Sequence, residues 1–172
     1  VRANASSTGW GLGAGGSVIF DPYAKGSVPG AELPDVLEAD LVLCSHGHGD
    51  HNAAERVTLS GKKPAFTVRG LDTFHDPEKG RLRGSNRISI VEYEGFRAAH
   101  LGDLGCALTE EEIAALKGVD LLLIPVGGHF TIDPEDYIGI HKTVFIANPN
   151  APTGMAISLS DVERIVRTNP DT

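Results

Sequence analysis

Short apolar runs, each closed by glycine, proline or charge, set the rhythm of this chain. "SVIFDPY", from Ser17, is apolar until Asp21-Pro22 stops it, which predicts a short buried strand. "LVLCS", Leu41 to Ser45, predicts a fully buried strand that ends at a cluster of histidines. Further strands are predicted at "PAFTV", Pro64 to Val68, and in "VDLLLIPVGG" and "TVFIANPN". Ile88 to Tyr93 and Phe96 to Leu101 are joined at Glu94-Gly95, which predicts a hairpin. Helical spacing is rarer. "ELPDVLEAD" carries a weak helix or turn pattern, and the stretch after Asn52 is helix-like. "LTEEEIAALKG" is a helix by its capping box of Thr109 and Glu112, its acids at the positive end and its stop at Gly118. Ser160 and Glu163 make a second capping box in "SLSDVERIVRT". The first 16 residues, small and Gly-rich, predict loop or a poorly formed strand. Strands and helices alternate around a central hairpin, and no segment repeats. The pattern predicts an α/β layered fold.

The length of 172 residues suits one domain with a sizeable core, and 41% hydrophobic with 22% charged residues is ordinary for a globular protein. The net charge of −8 argues against a large nucleic-acid footprint, because phosphates need a basic stripe. Cys44 and Cys106 are too far apart in sequence to suggest a disulfide framework, and free thiols fit a reducing cytoplasm. No apolar run has the length of a membrane span and no signal-peptide pattern opens the chain. The expectation is a cytoplasmic protein with a small-molecule substrate and no membrane or nucleic-acid partner.

The chemistry concentrates in "LCSHGHGDHN", Leu43 to Asn52. In an extended segment His46 and His48 face the same side, and the glycines let the chain turn so that Asp50 and His51 meet a second point nearby. Imidazole nitrogen and carboxylate oxygen suit zinc, iron or manganese. The alternative is a polar loop that is merely rich in histidine.

"HGHGDH" resembles the HxHxDH motif of the metallo-β-lactamase superfamily, and it follows an apolar strand as that motif does. "IFDPY", "FHDPEKGRLRGSN", "HLGDLG" and "LLLIPVGGHFTIDPED" resemble the branch that includes the ascorbate-phosphate lactonase-like metal-dependent hydrolases, so the likeness covers about residues 17–136. The resemblance implies an αββα sandwich of α/β class with a dinuclear site, zinc being the expected ion and manganese or iron also suitable. It implies that His46, His48 and His75 hold a first ion, that Asp50 and His51 hold a second, and that Asp103 bridges them, with Asp50 and Asp103 in the catalytic role. A metal-activated hydroxide would then act on a small ester, lactone, amide or phosphoester. Asp21 reads as a structural or supporting carboxylate. His100 reads as a strand residue with a satisfied hydrogen bond or as a donor orienting a ligand. His129 is either a substrate contact or a plain loop residue. Lys79, Arg81, Arg83 and Arg87 read as a solvated basic loop, with anion binding as the alternative.

The likeness breaks toward both ends. The family places a last histidine after a late strand, where this chain has Asn148, Pro149 and Asn150, and no histidine follows His141. "VFIANPNAPTGMAISLSDVERIV" is instead similar to a segment of histidinol-phosphate aminotransferases, without the lysine and phosphate-binding segments that pyridoxal chemistry needs. The family's usual first strand is replaced by "STGWGLGAGG". Residues 1–136 are therefore read as the metallo-β-lactamase-like core, and 137–172 as a strand-helix tail packed on the same domain. Two functions stay open: a metal-dependent hydrolase, or a metal-binding protein of the same fold with little or no turnover for want of the last ligand.

Overall fold

The computed structural model describes residues 2–3, 8–29, 32–125 and 144–146. The strands are β1 (Arg2–Ala3), β2 (Thr8–Gly11), β3 (Ser17–Phe20), β4 (Leu37–Ala39), β5 (Leu41–Leu43), β6 (Val57–Leu59), β7 (Thr67–Phe74), β8 (Ser85–Tyr93), β9 (Phe96–His100), β10 (Leu121–Ile124) and β11 (Val144–Ile146). One helix, α1 (Glu110–Leu116), lies among the described residues. A four-stranded sheet runs in the order β1-β2-β3-β5, a five-stranded sheet in the order β11-β10-β9-β8-β7, and β4 pairs with β6 in a small ribbon.

Alternation along the strands builds the layers. Val18 and Phe20 of β3 point with Leu41 and Leu43 into a cluster that includes Val91, Ala98 and Leu123 of the larger sheet. This is the core between the two sheets. Ile88, Ile90, Ala99, Leu122 and Ile124 use the other face of the larger sheet to pack against Leu116 of α1. On the outer face of the smaller sheet, Ile19 and Val42 meet Ala39 and Val57, so the β4–β6 ribbon covers it.

The hairpin and the capped helix follow the sequence closely. Tyr93 pairs with Phe96 across the turn, and Thr109 and Glu112 form the reciprocal cap. Five segments differ. Thr8–Gly11 is a formed strand, antiparallel to β3. The "ELPDVLEAD" segment gives strand β4, because Leu37 and Ala39 alternate about Glu38 over too few residues to outweigh the apparent helix pattern. The stretch after Asn52 makes a single 3-10 turn, Ala54–Arg56, and then strand β6. The strand expected at Pro64 to Val68 begins at Thr67 and runs to Phe74. It is an edge strand and mostly exposed, so its sequence "TVRGLDTF" carries little apolar signal. β5 is half-buried rather than fully buried.

Parallel pairing aligns the strand ends that matter. Phe20 lies opposite Leu43, so the residues after β3 and those after β5 leave the smaller sheet side by side. In the larger sheet Phe74 lies opposite Ser85 and Ser89 opposite His100, which brings the end of β7, the start of β8 and the end of β9 to one edge. The ring of His100 stacks on that of Phe20 with centroids 4.8 Å apart, joining the two sheets at this edge. The segments 126–143 and 147–172, with His129, His141, Asn148, Asn150 and the second capping box, lie outside the described residues.

Candidate metal centre

Six side chains expected to act together meet at this shared edge. His46 Nε2 lies 3.0 Å from His48 Nδ1. Asp103 Oδ2 lies 3.3 Å from His51 Nε2, 3.3 Å from His75 Nε2 and 3.9 Å from His46 Nε2. His51 Nε2 is 3.6 Å from Asp50 Oδ2. Donor atoms of His46, His48 and His75 fall within 4.8 Å of one another, as do those of His46, Asp50 and His51. His46 and His48 do not meet by sharing one face of an extended segment: the chain bends from Ser45 to His48, and the turn closes where His51 N–H donates to His48 O at 2.9 Å.

These spacings fit a cation better than a hydrogen-bond network. Bonds of 2.0–2.1 Å at tetrahedral angles put neighbouring ligand atoms about 3.3 Å apart. His51 Nε2 and His75 Nδ1 are buried without a hydrogen-bond partner, a costly condition that a ligated cation relieves for the nitrogen facing it. Three imidazoles on one side and an imidazole with two carboxylates on the other are a donor set for zinc, iron or manganese.

Loop chemistry explains how the ligands arrive. Gly102 is in the left-handed region at φ +58, and a Cβ on it would collide with Asn86 Oδ1 and Ser45 Cβ. A Cβ on Gly105 would collide with the backbone of His75. The two glycines let the Leu101–Cys106 turn press between the His46 and His75 loops, which sets Asp103 among them. Asn86, fully buried, fixes this turn: it donates to Leu101 O and Thr73 Oγ1, both at 2.9 Å, and accepts from Asp103 N at 3.0 Å. Asp76, also fully buried, accepts N–H bonds from Glu78, Gly80, Leu82 and Arg83, which shapes the loop after His75. Sequence reasoning missed Asn86, Asp76 and Ser45. The signal for Asn86 was a polar residue in register with Ile88 and Ile90, on a face that is otherwise apolar.

Asp21 stands behind the cluster at φ +46. It accepts from Ser45 N at 2.6 Å, Ser45 Oγ at 2.7 Å and His51 Nδ1 at 2.9 Å. Burial works to raise its pKa, but the His100 ring and the His51 and Ser45 donors hold it below the usual carboxylate range. Asp103 is likewise held low, burial being outweighed by the surrounding imidazoles, His51 first. Burial lowers the His46 pKa to about 4, helped by the charge of His51 and opposed by Asp103. His75 is also lowered, mainly by burial. For His51 burial would do the same, but the carboxylates of Asp103 and Asp21, facing its two nitrogens, raise it well above 6.5. His100 accepts from Gly102 N at 3.2 Å, so it is a strand-end residue with a satisfied bond. Arg81 pairs with Glu78 and Arg87 with Asp72 on the exposed surface. Both cysteines are free thiols.

A family profile described as a beta-lactamase superfamily domain matches residues 5–145. The chain belongs to this family. A UPF0173 metal-dependent hydrolase of Thermococcus onnurineus is 29% identical over 153 residues, 69% of this chain and 68% of that protein. Another of that name from Thermoplasma acidophilum is 24% identical over 185 residues, 90% of this chain and 80% of the relative. Among solved structures, a metallo-beta-lactamase fold protein from Bacillus subtilis superposes with a TM-score of 0.62 at 12% identity, covering 99% of this chain and 88% of that one. A metallo hydrolase from Ignicoccus hospitalis gives 0.61 at 18% identity, covering 88% and 82%. The fold is therefore the α/β metallo-β-lactamase sandwich, and the chain is a member of the beta-lactamase superfamily whose relatives here are named metal-dependent hydrolases. No helix among the described residues is long and apolar enough to cross a membrane.

Proposed function

We propose that this chain hydrolyses a small ester, lactone, amide or phosphoester with the help of one or two divalent cations, zinc first among them and manganese or iron also suited to the donors. One observation carries the reading: a single oxygen, Asp103 Oδ2, lies 3.3 Å from a nitrogen of each histidine group, His75 Nε2 on one side and His51 Nε2 on the other. His46, His48 and His75 would hold the first cation, Asp50 and His51 the second, and Asp103 both. A cation there supplies a Lewis acid that makes water nucleophilic near neutral pH and polarises the bond under attack.

The chain's own groups do the rest. His46, His51, His75 and Asp103 are buried, whereas His48 is exposed and Asp50 half-buried, so reactants approach over His48 and Asp50. Asp50 is the carboxylate placed to take a proton from water and pass it to the leaving group. The net charge of −8, with Arg81 and Arg87 already paired, favours a small molecule over nucleic acid. The second reading, a metal-binding protein with little turnover, is favoured by the Asn148-Pro149-Asn150 segment where the family has its last histidine.

Hydrolysis of a panel of nitrophenyl esters, lactones, anilides and phosphodiesters tests this. Turnover lost on chelation and restored by zinc or manganese is expected. Tight metal binding without turnover on any of them favours the second reading, and failure to bind metal removes both.

A further inference from the structure

We propose that Ser45 is a positioning residue which relays the charge of Asp21 to His46, so that one buried carboxylate fixes the Nδ1 proton of a histidine in each ligand group. Asp21 touches His51 directly but is not bonded to His46. The link is the Ser45 hydroxyl, whose Oγ lies 2.7 Å from Asp21 Oδ2 and 2.9 Å from His46 Nδ1. Ser45, Asp21, His46 and His51 are all buried, so no solvent competes for these bonds.

The direction of the chain follows from counting protons. Asp21 Oδ1 accepts the Ser45 amide N–H, which has no other role to offer. Oδ2 faces both His51 Nδ1 and the Ser45 hydroxyl. A carboxylate is acceptor-only, so the hydroxyl must spend its one proton on Asp21. Ser45 Oγ then has only lone pairs to turn toward His46, and His46 Nδ1 must be the donor. His51 Nδ1 donates to the same Oδ2. Both rings therefore present Nε2 to the cluster: on His46 it carries a bare lone pair, and on His51 it is the atom left without a hydrogen-bond partner. A histidine that donates through one nitrogen is fixed in orientation and made more basic at the other. The direct bond serves His51, and Ser45 extends it to His46. Gly102 presses against Ser45 in this structure, which holds the hydroxyl in place.

The consequence for cation binding rests on the reading of the site as a metal centre, but the tautomer does not, so the two can fail separately. The test is histidine ring ¹⁵N NMR of the metal-free full chain, followed by zinc titration. In the unaltered protein His46 is expected to carry its proton on Nδ1. In Asp21→Asn the amide becomes a donor where the carboxylate accepted. The hydroxyl then turns to His46 Nδ1, and the His46 proton moves to Nε2 although residue 21 is not bonded to it. In Ser45→Ala, and in Ser45→Ala with Asp21→Asn, His46 becomes a tautomer mixture that no longer depends on residue 21. Zinc affinity at the His46 group falls about 10–100-fold in Ser45→Ala, the range for loss of an outer partner. A proton on His46 Nε2 in the unaltered protein overturns the relay without any variant. So does a His46 tautomer that ignores Asp21→Asn while Ser45 is present. Unaltered protein that shows the expected tautomer but binds no zinc leaves the relay standing and removes the metal reading.

Discussion

The two ligand groups of the centre share an edge, a bridging carboxylate and a residue type, yet they differ in what it takes to load them. On one side burial keeps His46 and His75 below the ordinary imidazole range, so each ring is neutral at neutral pH and keeps one nitrogen with a free lone pair. On the other side His51 is equally buried but lies between Asp21 and Asp103, which raise it well above 6.5. The first group is ready for a cation as folded. The second must first expel a proton. His46 and His51, three and eight residues after the end of β5, thus have opposite proton affinities, and the cause is how many carboxylates face each ring.

Removing the shared residue should erase the contrast. Asp103→Ala takes away the oxygen that faces both groups, and hydrolysis is expected to fall more than roughly a hundredfold, beyond what loss of an outer partner costs. Metal content after gel filtration should fall with it. Near-normal kcat/KM in this variant would show that the groups work independently.

Acid and base should separate the groups. The folded His46 pKa of about 4 lies below its unfolded value of 6.5, so its protonation on acidification costs at most about 3 kcal/mol of stability between those values. His51 runs the other way. Its folded pKa is raised, so its contribution is fully present below 6.5 and is lost as pH rises through the raised value. Asp21 and Asp103 are lowered, so their contributions hold above 3.8 and fade as pH falls through their folded values. Urea unfolding of chelator-treated protein from pH 4.5 to 9 is expected to show a stability maximum near neutrality. A profile rising steadily to pH 9 would contradict the assignment of His51.

Gly102→Ala tests whether the close approach of the Asp103 turn serves both groups alike. With positive φ and no room for a Cβ, it is expected to cost about 2 kcal/mol in thermal or urea unfolding and to weaken metal binding in both groups. At the small end, Arg81→Ala and Arg87→Ala remove exposed ion pairs and should change stability by less than about 0.5 kcal/mol, with metal uptake unaltered.

How far the sequence reveals this arrangement depends on the range of each interaction. The Glu94-Gly95 hairpin and the Thr109–Glu112 cap are local, so the chain spells them out. His46, His48, Asp50 and His51 are neighbours in one motif, and His75 and Asp103 came from the family resemblance. The strands β4 and β7 were misread, because a three-residue strand has no measurable period and an exposed edge strand has little apolar pattern. Ser45, Asn86 and Asp76 were missed for another reason. Ser45 and Asn86 bond to partners 24 and 17 residues away, and the polar break that Asn86 makes in an apolar face marks a buried group without telling which distant turn it holds. Asp76 accepts from amides 2 to 7 residues on, in a loop with no periodic pattern.

The most direct test of unequal groups joined by one carboxylate is a count of ions held by metal-free protein reloaded with zinc at pH 7 and then exhaustively dialysed. One tightly held equivalent per chain is expected, with a second appearing only at higher zinc or higher pH and releasing a proton as it binds. Two equivalents retained with equal tenacity would contradict the account.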